Sequence, residues 1–179
     1  KKFAEFTSHH FLRHQIPLMS LGVRDKFFEG IDELFNNAAI HSKARFPVYV
    51  CGQVFPSEKR LDFTIVDLGI GFRENVERYL NEEIGAAAAI AWGMERDNTT
   101  RAGDIPGGLG LSILLEFVEK NGGELMIYSD KGYWSHSNRG VSAEGIDVRF
   151  PGTFVTLEIK LDDEKIYFLE DEIDPNSIL

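Results

Sequence analysis

Cysteine is nearly absent from this chain of 179 residues: Cys51 is the only one. That excludes a disulfide framework and a cysteine-rich zinc site within one chain. It fits a reducing compartment, and a cytoplasmic location is expected. Positive charge is also scarce, with 19 Lys and Arg against 29 Asp and Glu and a formal net charge of −10. Such a surface repels nucleic acid and anionic membranes as a whole, so neither is an expected partner. Long apolar runs are missing too. The longest extends from Ile84 to Met94, too short to cross a bilayer. No signal-peptide pattern occurs. The first residue is Lys1 rather than methionine, and a segment upstream is expected. No Gly-Lys pair occurs anywhere, which removes the phosphate loop G-x-x-x-x-G-K-[ST]. The dinucleotide pattern G-x-G-x-x-G fails at both glycine clusters.

What is present is the material of one domain, since this length can bury a core without staples. Residues 3–20 predict a short helix and a connection broken at Pro17. Residues 24–42 predict the strongest helix, with Phe27, Phe28, Ile31, Leu34, Phe35 and Ala38 on one wide stripe. Residues 46–55 and 60–67 read as strands joined by Pro56-Ser57-Glu58-Lys59, a hairpin. Helices are expected over 73–82, 84–95 and 110–121, the last closed by Asn121-Gly122-Gly123. Residues 96–108, rich in Asp, Asn, Thr, Gly and Pro, read as a loop. Residues 124–129 and 152–160 read as strands, with a ragged strand plus loop over 131–151 between them. The tail 162–179 is acidic. Interleaved helices and strands around a hairpin predict a two-layer α/β sandwich, with a mixed, largely antiparallel sheet and helices on one face.

Several polar residues fall in informative phase. Glu33, Asn37 and His41 share one helical face, spaced i, i+4, i+8 beside the apolar stripe. A carboxylate there can polarise an attacking group, an Asn carbonyl oxygen suits Mg²⁺, and a histidine can donate to phosphate. An amphipathic helix with a polar flank is the plainer reading. In 61–67, Leu61, Phe63, Ile65 and Asp67 point to one face. Asp67 is thus aimed at the core side, where an unpaired charge is costly and a partner is required. A turn-capping aspartate is the alternative. Gly107-Gly108-Leu109-Gly110-Leu111 precedes a helix, whose first amides form an anion site. Thr99, Thr100 and Arg101 lie just upstream. Thr153 shares an inward face with Val155, Leu157 and Ile159.

In this order and at these separations the segments resemble the nucleotide site of the GHKL superfamily, which includes DNA gyrase, heat-shock chaperone ATPases, histidine kinases and mismatch-repair ATPases. The resemblance runs from about Arg24 to Lys160. It implies a Bergerat-type fold that binds ATP with Mg²⁺. It places Glu33 as the activating carboxylate and Asn37 as the Mg²⁺ ligand. His41 matches the kinase branch, which carries a His or Lys eight residues after the Glu. Asp67 would accept from the adenine amino group, with Gly69 and Gly71 admitting the base and Thr153 supporting Asp67. Thr100 and Arg101 would meet the terminal phosphate from a lid, and Gly108, Leu109, Gly110 and Leu111 would cradle phosphates. Two departures stand out: Arg101 replaces the usual Lys, and Pro106 stands where the glycine box normally begins.

The resemblance is nearest to stand-alone histidine-kinase catalytic domains and anti-sigma-factor kinases. It implies a regulatory protein that acts on a partner protein as a kinase or slow ATPase. A non-catalytic, ATP-gated binding module is the alternative, and a homodimer is compatible with either. The N-terminal His9, His10 and His14 are not a phosphoacceptor motif. The 23 residues between His9 and Glu33 cannot hold a dimerising pair of long helices. The expected organisation is an N-terminal helical segment over 1–23, the ATP-binding domain over 24–161, and the acidic tail over 162–179.

Overall fold

The computed structural model describes Phe3, Glu5, Thr7, His9, Phe11, residues 16–95 and residues 109–172, with His41, Leu109 and Gly110 described by backbone alone. In chain order these hold β1 (Leu18–Met19), α1 (Leu21–His41), β2 (Tyr49–Phe55), β3 (Arg60–Asp67), α2 (Gly71–Leu80), α3 (Ala86–Met94), α4 (Leu109–Asn121), β4 (Glu124–Ser137), β5 (Gly140–Lys160) and β6 (Ile166–Tyr167).

The longest helix starts where a cap is available. The Ser20 hydroxyl accepts the Val23 amide at 3.1 Å, satisfying one of the orphan donors of the first turn. Val23, Phe27, Ile31, Leu34 and Ala38 then recur at helical spacing and are all buried. The stripe packs on α4, where the Phe27 ring meets Phe117 edge-on at 5.1 Å. The N-terminal residues described are helical and add to the same core. Phe3 stacks on Phe35 at 3.8 Å, and Phe11 is buried against Phe27 and Phe63. His9, on this segment, is exposed; His10 and His14 lie outside the described residues.

The sheet has the order β2-β3-β5-β4, antiparallel at every neighbour. The hairpin between β2 and β3 turns at Pro56–Glu58, with Lys59 left-handed at φ +48°. Strict alternation in β3 buries Leu61, Phe63, Ile65 and Asp67. Those apolar side chains join Leu125, Ile127, Val155, Leu157 and Ile159 beneath the helices. The opposite face is polar: Thr64 and Thr156 hydroxyls pair at 2.9 Å, and Arg60 lies among Glu58, Asp62 and Glu158. Helices therefore cover one face, and the fold is the expected two-layer α/β sandwich. The only parallel pairing among the described residues is the short one of β1 with β6.

The segment expected to be ragged is ordered differently. Residues 131–151 belong to a long hairpin, in which Gly132–Ser137 pairs with Gly140–Gly145. A straight strand as long as β4 would span roughly 45 Å at ~3.3 Å per residue. Instead it doubles back near Asp130, which is left-handed at φ +52°. Arg139 thereby comes within 3.9 Å of Glu124, and His136 within 3.6 Å of Glu119. Trp134, on the returning half, is buried in the core.

The C-terminal part of the chain is tied to the end of α4 and to the start of α1. Asn121 closes α4 by accepting the Lys160 amide at 2.8 Å and donating to the Lys160 carbonyl at 3.0 Å. It also donates to Asp163 at 3.1 Å. The Tyr167 hydroxyl donates to the same carboxylate, while its ring packs on Phe117 at 4.8 Å. Glu172 accepts the Gly22 amide at 3.1 Å and the Ser20 hydroxyl at the start of α1. Among the described residues, no helix is long and apolar enough to cross a membrane.

Candidate functional site

The site is built around the last residue of β3. Asp67 is 2% exposed and lies directly across from Thr153 in β5. Its carboxylate accepts the Gly69 amide at 2.9 Å and both the hydroxyl and the amide of Thr153. Burial holds its pKa above the ordinary carboxylate range, and these hydrogen bonds offset only part of the rise. No cation among the described residues acts on it. A buried carboxylate with three donors and no counter-ion has acceptor capacity left for a further donor.

The turn after Asp67 is pinned to the end of α1. Ile70 donates to the Ser42 carbonyl at 2.8 Å. A Cβ on Gly69 would lie 2.0 Å from that same oxygen, so only glycine permits the approach. Gly152, at φ +107°, is under the same constraint: its Cβ would sit 2.2 Å from the Asp67 carbonyl. The Asp-Leu-Gly-Ile-Gly and Gly-Thr segments, far apart in sequence, are thus pressed backbone to backbone.

The middle of α1 reaches the glycine-rich segment. Glu33 accepts the Leu111 amide at 3.3 Å, in the first turn of α4, where amides lack intrahelical partners and the dipole is positive. Asn37 follows one turn later on the same face and is half-buried. His41 ends the helix, and its side chain lies outside the described residues, as do Thr100, Arg101 and Gly108. Leu109 and Gly110 open α4, and Leu111 is buried in the core. From Glu33 to Ser42 the axis advances roughly 14 Å at ~1.5 Å per residue. Along its axis, α1 therefore reaches from the start of α4 to the Asp67 turn. Among the described residues, no group of three or more His, Cys, Asp or Glu could hold a metal.

Ser129 was not foreseen. It is 1% exposed, accepts the Phe72 amide at 3.0 Å and donates to the Gly152 carbonyl at 2.8 Å. The signal was available: Leu125, Ile127 and Ser129 share the inward face of β4, the same phase logic that singled out Asp67.

No protein-family model matches the chain, and no curated protein matches it. Among solved structures it is similar to the ATPase region of Saccharomyces cerevisiae topoisomerase II, at 12% identity and a TM-score of 0.41. A second structure of that region, bound to ICRF-187 (dexrazoxane), gives the same values. The match covers 75% of this chain and 37% of that one.

Proposed function

We propose that this chain is an ATP-binding domain of the GHKL type, acting in regulation as a protein kinase or slow ATPase on a partner protein. The observation that supports it most is Asp67: a buried carboxylate, kept an acceptor by three donors, at the end of a path that leads to a helix start. Adenine offers an exocyclic amino group to such an acceptor. Phosphates fit the other end of the path, where the amides at the start of α4 attract anions and Glu33 and Asn37 project from α1. A nucleoside triphosphate lying along α1 is of comparable length to that path. Thr100, Arg101 and Gly108 would add to the phosphate end.

Asn37 is the side chain that fits a Mg²⁺, which takes few protein ligands when it is bound through phosphates. The metal would neutralise phosphate charge there. Glu33 would orient and deprotonate the attacking hydroxyl, whether of water or of the partner. His41, eight residues after Glu33, supports the histidine-kinase-like subtype, and a homodimer is compatible with the reading. One observation favours a non-catalytic, ATP-gated module instead: Glu33 is engaged by the Leu111 amide rather than held ready for a reacting group. Calorimetry with ATP and GTP tests the binding claim, with selective ATP binding expected. Single-turnover measurement of labelled ATP, with and without candidate partners, separates transfer, hydrolysis and binding alone.

A further inference from the structure

Ser129, on the inward face of β4, joins β4 to the start of α2 and to β5. Its Oγ takes the Phe72 amide at 3.0 Å. That amide is in the first turn of α2, where the helix supplies no acceptor. The Ser129 hydroxyl proton goes to the Gly152 carbonyl at 2.8 Å. Thr153 Oγ1 lies 3.4 Å away.

Proton bookkeeping makes this arrangement directional. A serine hydroxyl has one proton and two acceptor lone pairs. With the proton committed to Gly152, Ser129 can only accept from Thr153, and weakly at that distance. The single Thr153 hydroxyl proton goes instead to the Asp67 carboxylate, where the hydrogen bond is charge-assisted and stronger. Asp67 then holds three donors, the Gly69 amide and the hydroxyl and amide of Thr153. No charged side chain among the described residues acts on it. Asp130, next to Ser129, is engaged by Arg73 and Arg149.

We infer that Ser129 is a positioning residue for base recognition. It clamps Gly152 and Thr153 to the start of α2, so that the Thr153 hydroxyl donates to Asp67 and Asp67 presents only acceptor capacity to the base. The inference rests on the ATP-binding reading above and adds a selectivity device to it. A purine with a 6-amino group satisfies this acceptor, whereas one with a 6-carbonyl sets two acceptors against each other. Hydrogen bonds involving the charged carboxylate are strong enough for this to be worth ~tenfold or more in affinity.

The test compares ATP with inosine triphosphate, in which a carbonyl replaces the 6-amino group and N1 carries a proton. Calorimetry on wild type, Ser129→Ala, Thr153→Val and Thr153→Ser gives the ratio of affinities. In parallel, the Asp67 carboxyl is titrated by carbon-13 NMR in nucleotide-free protein. Ser129→Ala is expected to lower ATP affinity ~tenfold, leave inosine triphosphate nearly unchanged, and move the Asp67 titration to higher pH. Thr153→Val should reproduce this without disturbing packing, and Thr153→Ser should resemble wild type. A Ser129→Ala protein that melts earlier but keeps the wild-type ratio and Asp67 titration overturns the inference, leaving Ser129 merely structural. If that variant does not fold, Ser129→Cys, with its weak donor, replaces it and must show a smaller shift in the same direction. Wild type that binds neither nucleotide refutes the ATP reading instead. The NMR titration of nucleotide-free protein still decides the role of Ser129 in that case.

Discussion

At the scale of single residues, Asp67 sets function against stability. Its pKa is raised by burial, so the folded chain keeps this proton to higher pH than the unfolded chain does. The associated stability is present below the ordinary carboxylate range and is lost as pH rises through the folded value. Asp67→Asn removes the buried charge. It should melt higher than wild type at neutral pH and show a flatter stability profile above the ordinary carboxylate range. The same variant should bind ATP roughly tenfold to hundredfold more weakly, because a hydrogen bond to a charged acceptor is lost. Thermal unfolding and calorimetry on one preparation check both signs, and equal ATP affinity would remove Asp67 from the base site. Glu33 calls for the opposite pattern. Glu33→Ala should keep ATP binding yet lose ~10²–10⁴ in turnover, the usual contribution of a general base. Single-turnover rates with a cognate partner measure it, and unchanged rates would favour the non-catalytic reading.

Among the elements, α1 carries the most. Its apolar stripe builds the core, its Glu33 reaches α4, and the residue after it, Ser42, holds the Asp67 turn. Phe27 is fully buried among Phe11, Phe28 and Phe117. Phe27→Ala should cost ~3–5 kcal/mol, since three rings would border a cavity that cannot close. Urea unfolding gives that number directly, and a loss below ~1 kcal/mol would mean that the stripe repacks. The long β4–β5 hairpin shows where pattern reading stops. Its outer half, Gly140–Arg149, is almost wholly exposed, so neither face supplies the apolar alternation by which a strand is recognised. Backbone pairing, which leaves no mark in composition, holds it.

For the whole molecule, the two ends of the described chain meet. β1 pairs with β6, Glu172 caps α1, and Tyr167 fills the space beside Phe117 under the hydroxyl bond to Asp163. The acidic tail is in part a structural strap. Deleting residues 162–179 should therefore destabilise the domain by roughly 3 kcal/mol or more, the scale of losing one buried aromatic side chain. Chemical denaturation of the truncated and full chains tests it. Equal midpoints and slopes would show that the strap adds nothing to the core.

The sequence alone determined the layers and much of the site. Helix phase marked the buried stripe of α1, strand phase turned Asp67 and Thr153 inward, and turn residues placed the β2–β3 hairpin. These signals are local: each depends on residues within a few positions, so period and composition suffice to read them. Tertiary structure decided which segments touch. Only the packed chain brings Glu33 to the Leu111 amide, Gly69 to Ser42, Gly152 to the Asp67 carbonyl, and Ser129 between Phe72 and Gly152. Those contacts join residues tens of positions apart, at distances set by the register of β3, β5 and β4 and by the doubling back of β4 near Asp130. Register and reversal follow from the simultaneous packing of every element against the core, a condition no short stretch of sequence contains.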